Sequence, residues 1–174
     1  REIIGTPYPD FIFGLTNNFD WKGLSLNVFF QGSIGQEIIN ANRYVMDAMN
    51  RVSASNVRQE AWDNRWTGEG TSNYYPKPGM VDPFQSRFTD FIVEDGSYVR
   101  LRNVTLAYSL PKSKLPVFKS LKVFVSGGNL VTWTNYKGYD PEINSKGDNS
   151  MLSGIDNGSI PQYRTYSFGI SAGF

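Results

Sequence analysis

The sequence contains no cysteine and no histidine. Disulfides, thiolate nucleophiles, imidazole bases and the commonest zinc ligands are thereby excluded together. Neither sign of charge dominates. Lys+Arg 17 against Asp+Glu 16 leaves a net charge of +1, so no bulk field draws the chain to nucleic acid. No apolar run approaches the roughly 18–20 residues that a spanning helix needs, and the mean hydropathy is −0.38. The chain opens at Arg1 with no initiator methionine and no signal peptide, and is expected to be a piece of something longer. At 174 residues it is about one domain in length. Aromatics are plentiful: 12 Phe, 10 Tyr and 4 Trp, 15% of all residues.

Signals of catalysis are equally scarce. No pair of carboxylates falls in a recognisable acid–base setting, and no Ser–Lys arrangement is signalled. The glycines of Gly68-Glu69-Gly70 and Gly127-Gly128 lack the strand–turn–helix frame of a phosphate loop. Asp140, Glu142, Asp148 and Asp156 carry oxygens that calcium would accept, but without the spacing of a calcium loop, and are expected to be solvated loop carboxylates. No enzyme, cofactor or metal site is expected.

The apolar pattern has period two. Phe11, Phe13, Leu15 and Phe19 alternate with Ile12, Gly14, Thr16 and Asn18. After Trp21-Lys22-Gly23 the alternation resumes with Leu24, Leu26, Val28 and Phe30, which predicts an antiparallel hairpin over about 10–19 and 24–33. A third strand over about 97–110 slips phase: Val99 and Leu101 lie opposite Arg100 and Arg102, then Val104, Leu106, Tyr108 and Leu110 take the apolar side. One extra residue near Asn103, a β-bulge, reconciles the halves. Strands over about 120–132 and 164–174 complete the set, the last with Tyr166, Phe168, Ile170, Ala172 and Phe174 on one face.

The connections are short (20–23), very long (34–96), short (111–119) and very long (134–163). Strict alternation puts the short turns at one end of the sheet and the long loops at the other, as in transmembrane β-barrels. The first loop is expected to contain helix, with Ile38, Ala41, Val45, Ala48, Met49 and Val52 on one face and Ser55 or Asn56 capping a second short turn towards Trp62. The second, rich in Asn, Asp, Gly and Ser, reads as irregular. The two loops hold 8 basic and 13 acidic residues, against 9 and 3 elsewhere.

What the apolar faces touch decides the class. In a soluble sandwich they meet another sheet; in a barrel they meet lipid, and the alternate face lines a polar lumen. Alternation alone leaves both open. Phe11, Phe30, Tyr98, Trp133 and Tyr166 at the long-loop ends, with Phe19, Trp21, Tyr108 and Phe174 at the short-turn ends, are placed as two interfacial girdles.

Five blocks then carry a resemblance. They are Ile4-Gly5-Thr6-Pro7-Tyr8-Pro9-Asp10-Phe11 leading to Phe29-Phe30-Gln31-Gly32-Ser33-Ile34-Gly35; Asn64-Arg65-Trp66-Thr67; Phe91 to Leu106; Val125-Ser126-Gly127-Gly128-Asn129-Leu130; and Tyr139-Asp140-Pro141-Glu142, closing with Pro161-Gln162-Tyr163-Arg164-Thr165 and the terminal strand. In this order and spacing they resemble the C-terminal part of a SusC-like (RagA-type) TonB-dependent outer-membrane transporter of the kind abundant in Bacteroidetes. The resemblance implies an all-β fold, about five C-terminal strands of a large antiparallel transmembrane β-barrel, with two long external loops. It implies import of glycan fragments or peptides powered by TonB, which acts through an N-terminal part absent here, and a SusD-like surface lipoprotein seated on the external loops. It also implies a terminal strand, marked here by Tyr166, Phe168, Ile170 and Phe174, that is read during barrel assembly. A passive porin-type barrel, or a soluble antiparallel carbohydrate-binding module, are the rival readings.

Candidate contact residues follow. Trp62, Trp66, Tyr74 and Tyr75 in the first loop, with Tyr136 and Tyr139 in the second, offer large area at low entropy cost for stacking on sugar rings, for packing on a lid protein, or for packing the loops on each other. Asn27, Gln31, Arg100 and Arg102 are expected to face the lumen.

Overall fold

A computed structural model describes residues 3–47, 56–75, 77–79, 89–111, 117–143 and 153–173. Two sheets organise it. The larger contains β1 (Phe11–Trp21), β2 (Leu24–Ile34), β5 (Tyr98–Ser109), β6 (Ser120–Thr134) and β8 (Thr165–Gly173), paired antiparallel in chain order. These are the five expected strands, displaced by no more than two residues at any end.

Local chemistry explains the joins. Lys22 and Gly23 have φ of 47° and 87°, both in the left-handed region that a two-residue hairpin needs if its twist is to match the flanking strands. The expected bulge is present. Register shifts between Leu101 and Asn103 on β5, against breaks at Phe29/Phe30 on β2 and beside Asn129 on β6, whose φ is 52°. Arg102 is the extra residue, and absorbing it keeps Val99, Leu101, Val104 and Leu106 on one face.

That face is continuous across the sheet. One cross-strand row runs Phe19–Leu26–Leu106–Val125–Phe168, and the next runs Trp21–Leu24–Tyr108–Val123–Ile170. Among the described residues nothing covers it: Trp21 is 69% exposed, Phe168 75% and Val125 47%. The opposite face carries Thr16, Asn18, Asn27, Gln31, Arg100, Thr105, Ser126 and Ser167. Phe29 and Phe124 interrupt it, each lying on a neighbouring glycine. A Cβ at Gly169 would stand 2.3 Å from the Phe124 ring, so the aromatic fills the place of a side chain. Tyr98 also belongs to this polar face, because it pairs with Ser33 and Thr134, and it is buried. It is therefore not a girdle residue, whereas Phe11, Phe30, Trp133 and Tyr166 lie on the apolar side as expected.

The smaller sheet lies within the long connections. β3 (Glu37–Asn40) pairs antiparallel with β4 (Val93–Asp95) and parallel with β7 (Ile155–Asp156). Among the described residues of the first connection lie helices α1 (Ala41–Met46) and α2 (Gln59–Asp63) and a 3-10 turn at Asp90–Ile92. Ile38 sits in β3, not on a helix, because its β-branched neighbours Ile38-Ile39 are recruited into strand pairing. The helix is correspondingly short. Ala48, Met49 and Val52 lie outside the described residues, as does Ser55, and Asn56 caps nothing: Arg58 holds the N-cap position of α2 without a side-chain bond. The second connection is not wholly irregular, since it supplies β7. The buried apolar residues come mainly from these connections: Ile38, Ala61, Tyr75, Ile92 and Tyr136. Among the described residues no helix is long and apolar enough to cross a membrane.

Candidate functional site

The long-loop end of the sheet carries the charged chemistry, in three linked nodes. The first is Arg100, 1% exposed. Its Nε donates to Thr132 Oγ1 (2.9 Å), its Nη1 to Glu142 Oε2 (2.8 Å) and its Nη2 to Asp140 Oδ1. Arg102 Nη1 donates to the same Glu142 oxygen at 2.9 Å. Asp140 also accepts the Glu142 amide on Oδ1 and the Gln162 amide on Oδ2, each at 2.9 Å. One carboxylate thus fastens both ends of the second loop to the sheet.

The second node is Asp156, fully buried. Its Oδ1 accepts the Gly158 and Ser159 amides at 3.1 and 2.9 Å, and Oδ2 accepts the Tyr136 hydroxyl. Burial first, and then the hydrogen bond and charge of Asp156, push the Tyr136 phenol well above its usual range, so it stays a neutral donor. Asp140 and Asp156 are accordingly structural, not solvated: the amides and side chains they accept lie up to 40 residues away in sequence, where local composition gives no sign of them. Asp148 lies outside the described residues. Among the described residues no group of carboxylates could hold a metal ion.

The third node joins the loops. Arg43, 4% exposed, donates to Asp47 (3.2 Å), Glu94 (3.1 Å) and the Tyr74 hydroxyl (2.9 Å), and lies over the Phe91 ring. Burial alone would depress this guanidinium's pKa; hydrogen bonds to Tyr74, Asp47 and Glu94 outweigh that and raise it. Arg58 braces Asp47 from the other side. Glu94 Oε2 then accepts the Lys137 amide at 2.9 Å, which ties the first loop to the second. Sequence reasoning missed this node, since nothing in the spacing of Arg43, Asp47 and Glu94 beyond the i,i+4 pair announces it.

The six loop aromatics separate into groups. Tyr75 and Tyr136 are buried: Tyr75 packs on Tyr74 and Phe91 within the first loop, and Tyr136 donates to Asp156 within the second. Trp62, Tyr74 and Tyr139 are exposed, and Trp66 is half-buried. Arg65 lies 3.9 Å over the Trp62 ring and Lys77 5.6 Å over that of Trp66. Tyr139 stands at the rim of a cleft of about 190 Å³ lined by Asn40, Asn42, Arg43 and Arg58. Of the four polar-face candidates, Asn27 bonds Asn18 (2.6 Å), Gln31 pairs with Arg100 across β2 and β5, and the two arginines share Glu142. Tyr166, Phe168 and Ile170 are exposed on the apolar face; Phe174 lies outside the described residues.

Comparison with known proteins decides what this sheet belongs to. Over its whole length the chain is 38% identical to TonB-dependent receptor P3 of Formosa agariphila and 24% identical to TonB-dependent receptor SusC of Bacteroides thetaiotaomicron. The chain matches a segment of SusC-like TonB-dependent receptors. The receptor segment spans 17% of receptor P3 and 16% of SusC. The solved RagAB peptide importer superposes on 95% of it in the open-open state, with a TM-score of 0.81 and 29% identity. In the closed-closed state the coverage is 98% and the TM-score 0.82, at 28% identity. Either way the segment covers less than a fifth of the importer chain. No family model matches. These are outer-membrane β-barrel proteins, and in the wall of such a barrel an uncovered apolar face is the one turned to lipid.

Proposed function

We propose that this chain supplies C-terminal strands and two external loops of an outer-membrane importer, one that takes up glycan fragments or peptides with TonB-derived energy. The observation that carries this reading is the apolar face, interrupted at Asn17 but bare across all five strands among the described residues, backed by a polar face and closed by long loops at one end only. A soluble carbohydrate-binding module would bury that face against a second layer. Asn27, Gln31, Arg100 and Arg102 lie on the lumenal side in this reading. The exposed Trp62, Tyr74 and Tyr139, with the half-buried Trp66, are candidates to contact a SusD-like lipoprotein or cargo, because aromatic and arginine side chains anchor interfaces. Tyr166, Phe168 and Ile170 present the assembly-signal strand. TonB acts through parts of the protein outside this chain.

The test is fractionation of membranes from the source cells, probed with an antibody to residues 153–163. A heat-modifiable outer-membrane band several times the 19.6 kDa of this chain supports the reading, and deletion of the locus then abolishes growth on one class of glycan or peptide. A soluble band near 19.6 kDa overturns it.

A further inference from the structure

We propose that residues 140–142 fold inward across the polar face, narrow the channel mouth along this stretch of wall, and set the Arg102–Glu142 pair against the passing solute. The inference rests on the reading above that the polar face is lumenal.

Three observations carry it. First, the segment's side-chain partners all lie on one face. Asp140 and Glu142 bind Arg100, which pairs in register with Thr132 and donates to it, and Arg102 reaches the same Glu142 oxygen. Second, burial is one-sided at this end of the sheet. On the polar face Ser33, Tyr98 and Arg100 are covered, whereas Val131 and Trp133 on the apolar face stay 38% and 52% exposed. A segment projecting outward beyond the strands would cover neither face. Third, the return of the loop is held by the same group, since the Gln162 amide donates to Asp140. The loop thus leaves β6, turns over the polar face, and is pinned there on its way to β8.

The charges in the segment have different tasks. Arg100 and Asp140 are enclosed and satisfied by each other and by their neighbours, so they position the segment. Arg102 and Glu142 have side chains 33% and 32% exposed and lie 2.9 Å apart. They remain able to exchange hydrogen bonds with a polar solute, and are the specificity-determining part.

This segment has no cysteine of its own, so single cysteines placed in it can be followed in the complete receptor in intact cells once any cysteines elsewhere are replaced. Ile143→Cys leaves Asp140 and Glu142 in place; Ile160→Cys marks an exposed position, 75% accessible, on the same loop. An inward fold predicts that a small impermeant thiosulfonate modifies both. A bulky polyethylene-glycol maleimide should modify Cys at 143 about tenfold or more slowly than at 160, because it must wait for local opening. Adding Glu142→Gln, or the stronger Asp140→Asn, should restore the bulky reaction at 143. Equal reaction of the two sites with the bulky reagent overturns the proposal while leaving the importer reading intact. A receptor missing from the outer membrane overturns the importer reading itself.

Discussion

Asp140 accepts from Arg100 and from the amides of Glu142 and Gln162. Its replacement by alanine therefore leaves the buried Arg100 with only Thr132 and Glu142, and strips two amides of their acceptor. Removing one partner of a buried pair costs on the order of 3–5 kcal/mol, and hydrogen exchange should show that loss as unprotected amides at Glu142 and Gln162 with the strands unaffected. Asp95 is a milder case. Hydrogen bonding from the Ser97 side chain, then from its amide at 2.8 Å, outweighs partial burial and holds the carboxyl below the usual aspartate range. Its contribution is complete above that range and falls away as pH drops through the depressed value. Protection of the Ser97 amide, followed from roughly pH 6 down to pH 2, should fade at the acid end, and Asp95→Asn should remove the dependence. At this scale the polar face was legible: period-two alternation put Asn27, Gln31 and Arg100 on one side without any structure. The burial of Asp140 and Asp156 was not legible, because what buries an acid is a donor brought by the fold from 20 to 40 residues away.

Among the elements, the β1–β2 turn is the most constrained by its backbone. At Gly23 φ is +87° and a Cβ would stand 2.7 Å from the Ser109 carbonyl oxygen. Gly23→Ala should cost about 1 kcal/mol or more, read as earlier thermal loss of the folded, heat-modifiable barrel, while Lys22→Asn should be neutral or stabilising because it gives the favoured Asn-Gly turn. In the second loop, Tyr136→Phe removes the hydroxyl donor from a fully buried Asp156. The expected cost is about 1–3 kcal/mol, visible as faster exchange of the Gly158 and Ser159 amides. The strands and the bulge could be placed from sequence because side-chain period is a local property. The stretch at 37–40 could not. Ile38 and Ile39 fit a helical stripe as well as a strand, and only the arrival of Val93–Asp95 and Ile155–Asp156 settles the matter.

For the whole molecule the two faces of the sheet make opposite predictions from adjacent residues. Val125 lies in the apolar row between Leu106 and Phe168, and Ser126 faces the other way between Thr105 and Ser167. Val125→Arg in the complete receptor should destabilise the barrel by about 2–4 kcal/mol if it sits near the bilayer midplane. Ser126→Arg should be tolerated; measured unfolding in detergent or vesicles separates the two, and equal effects would contradict the assignment of faces. The pairing of Ile39 with Ile155, together with the Lys137 amide on Glu94, has a consequence for descent and for engineering. External loops are commonly the parts of a scaffold that can be exchanged one at a time. Here each long loop is completed by the other, so a chimera given one foreign loop should misassemble at its outer end, and one given both should not. Variation in cargo preference would then pass between relatives as a matched pair of loops.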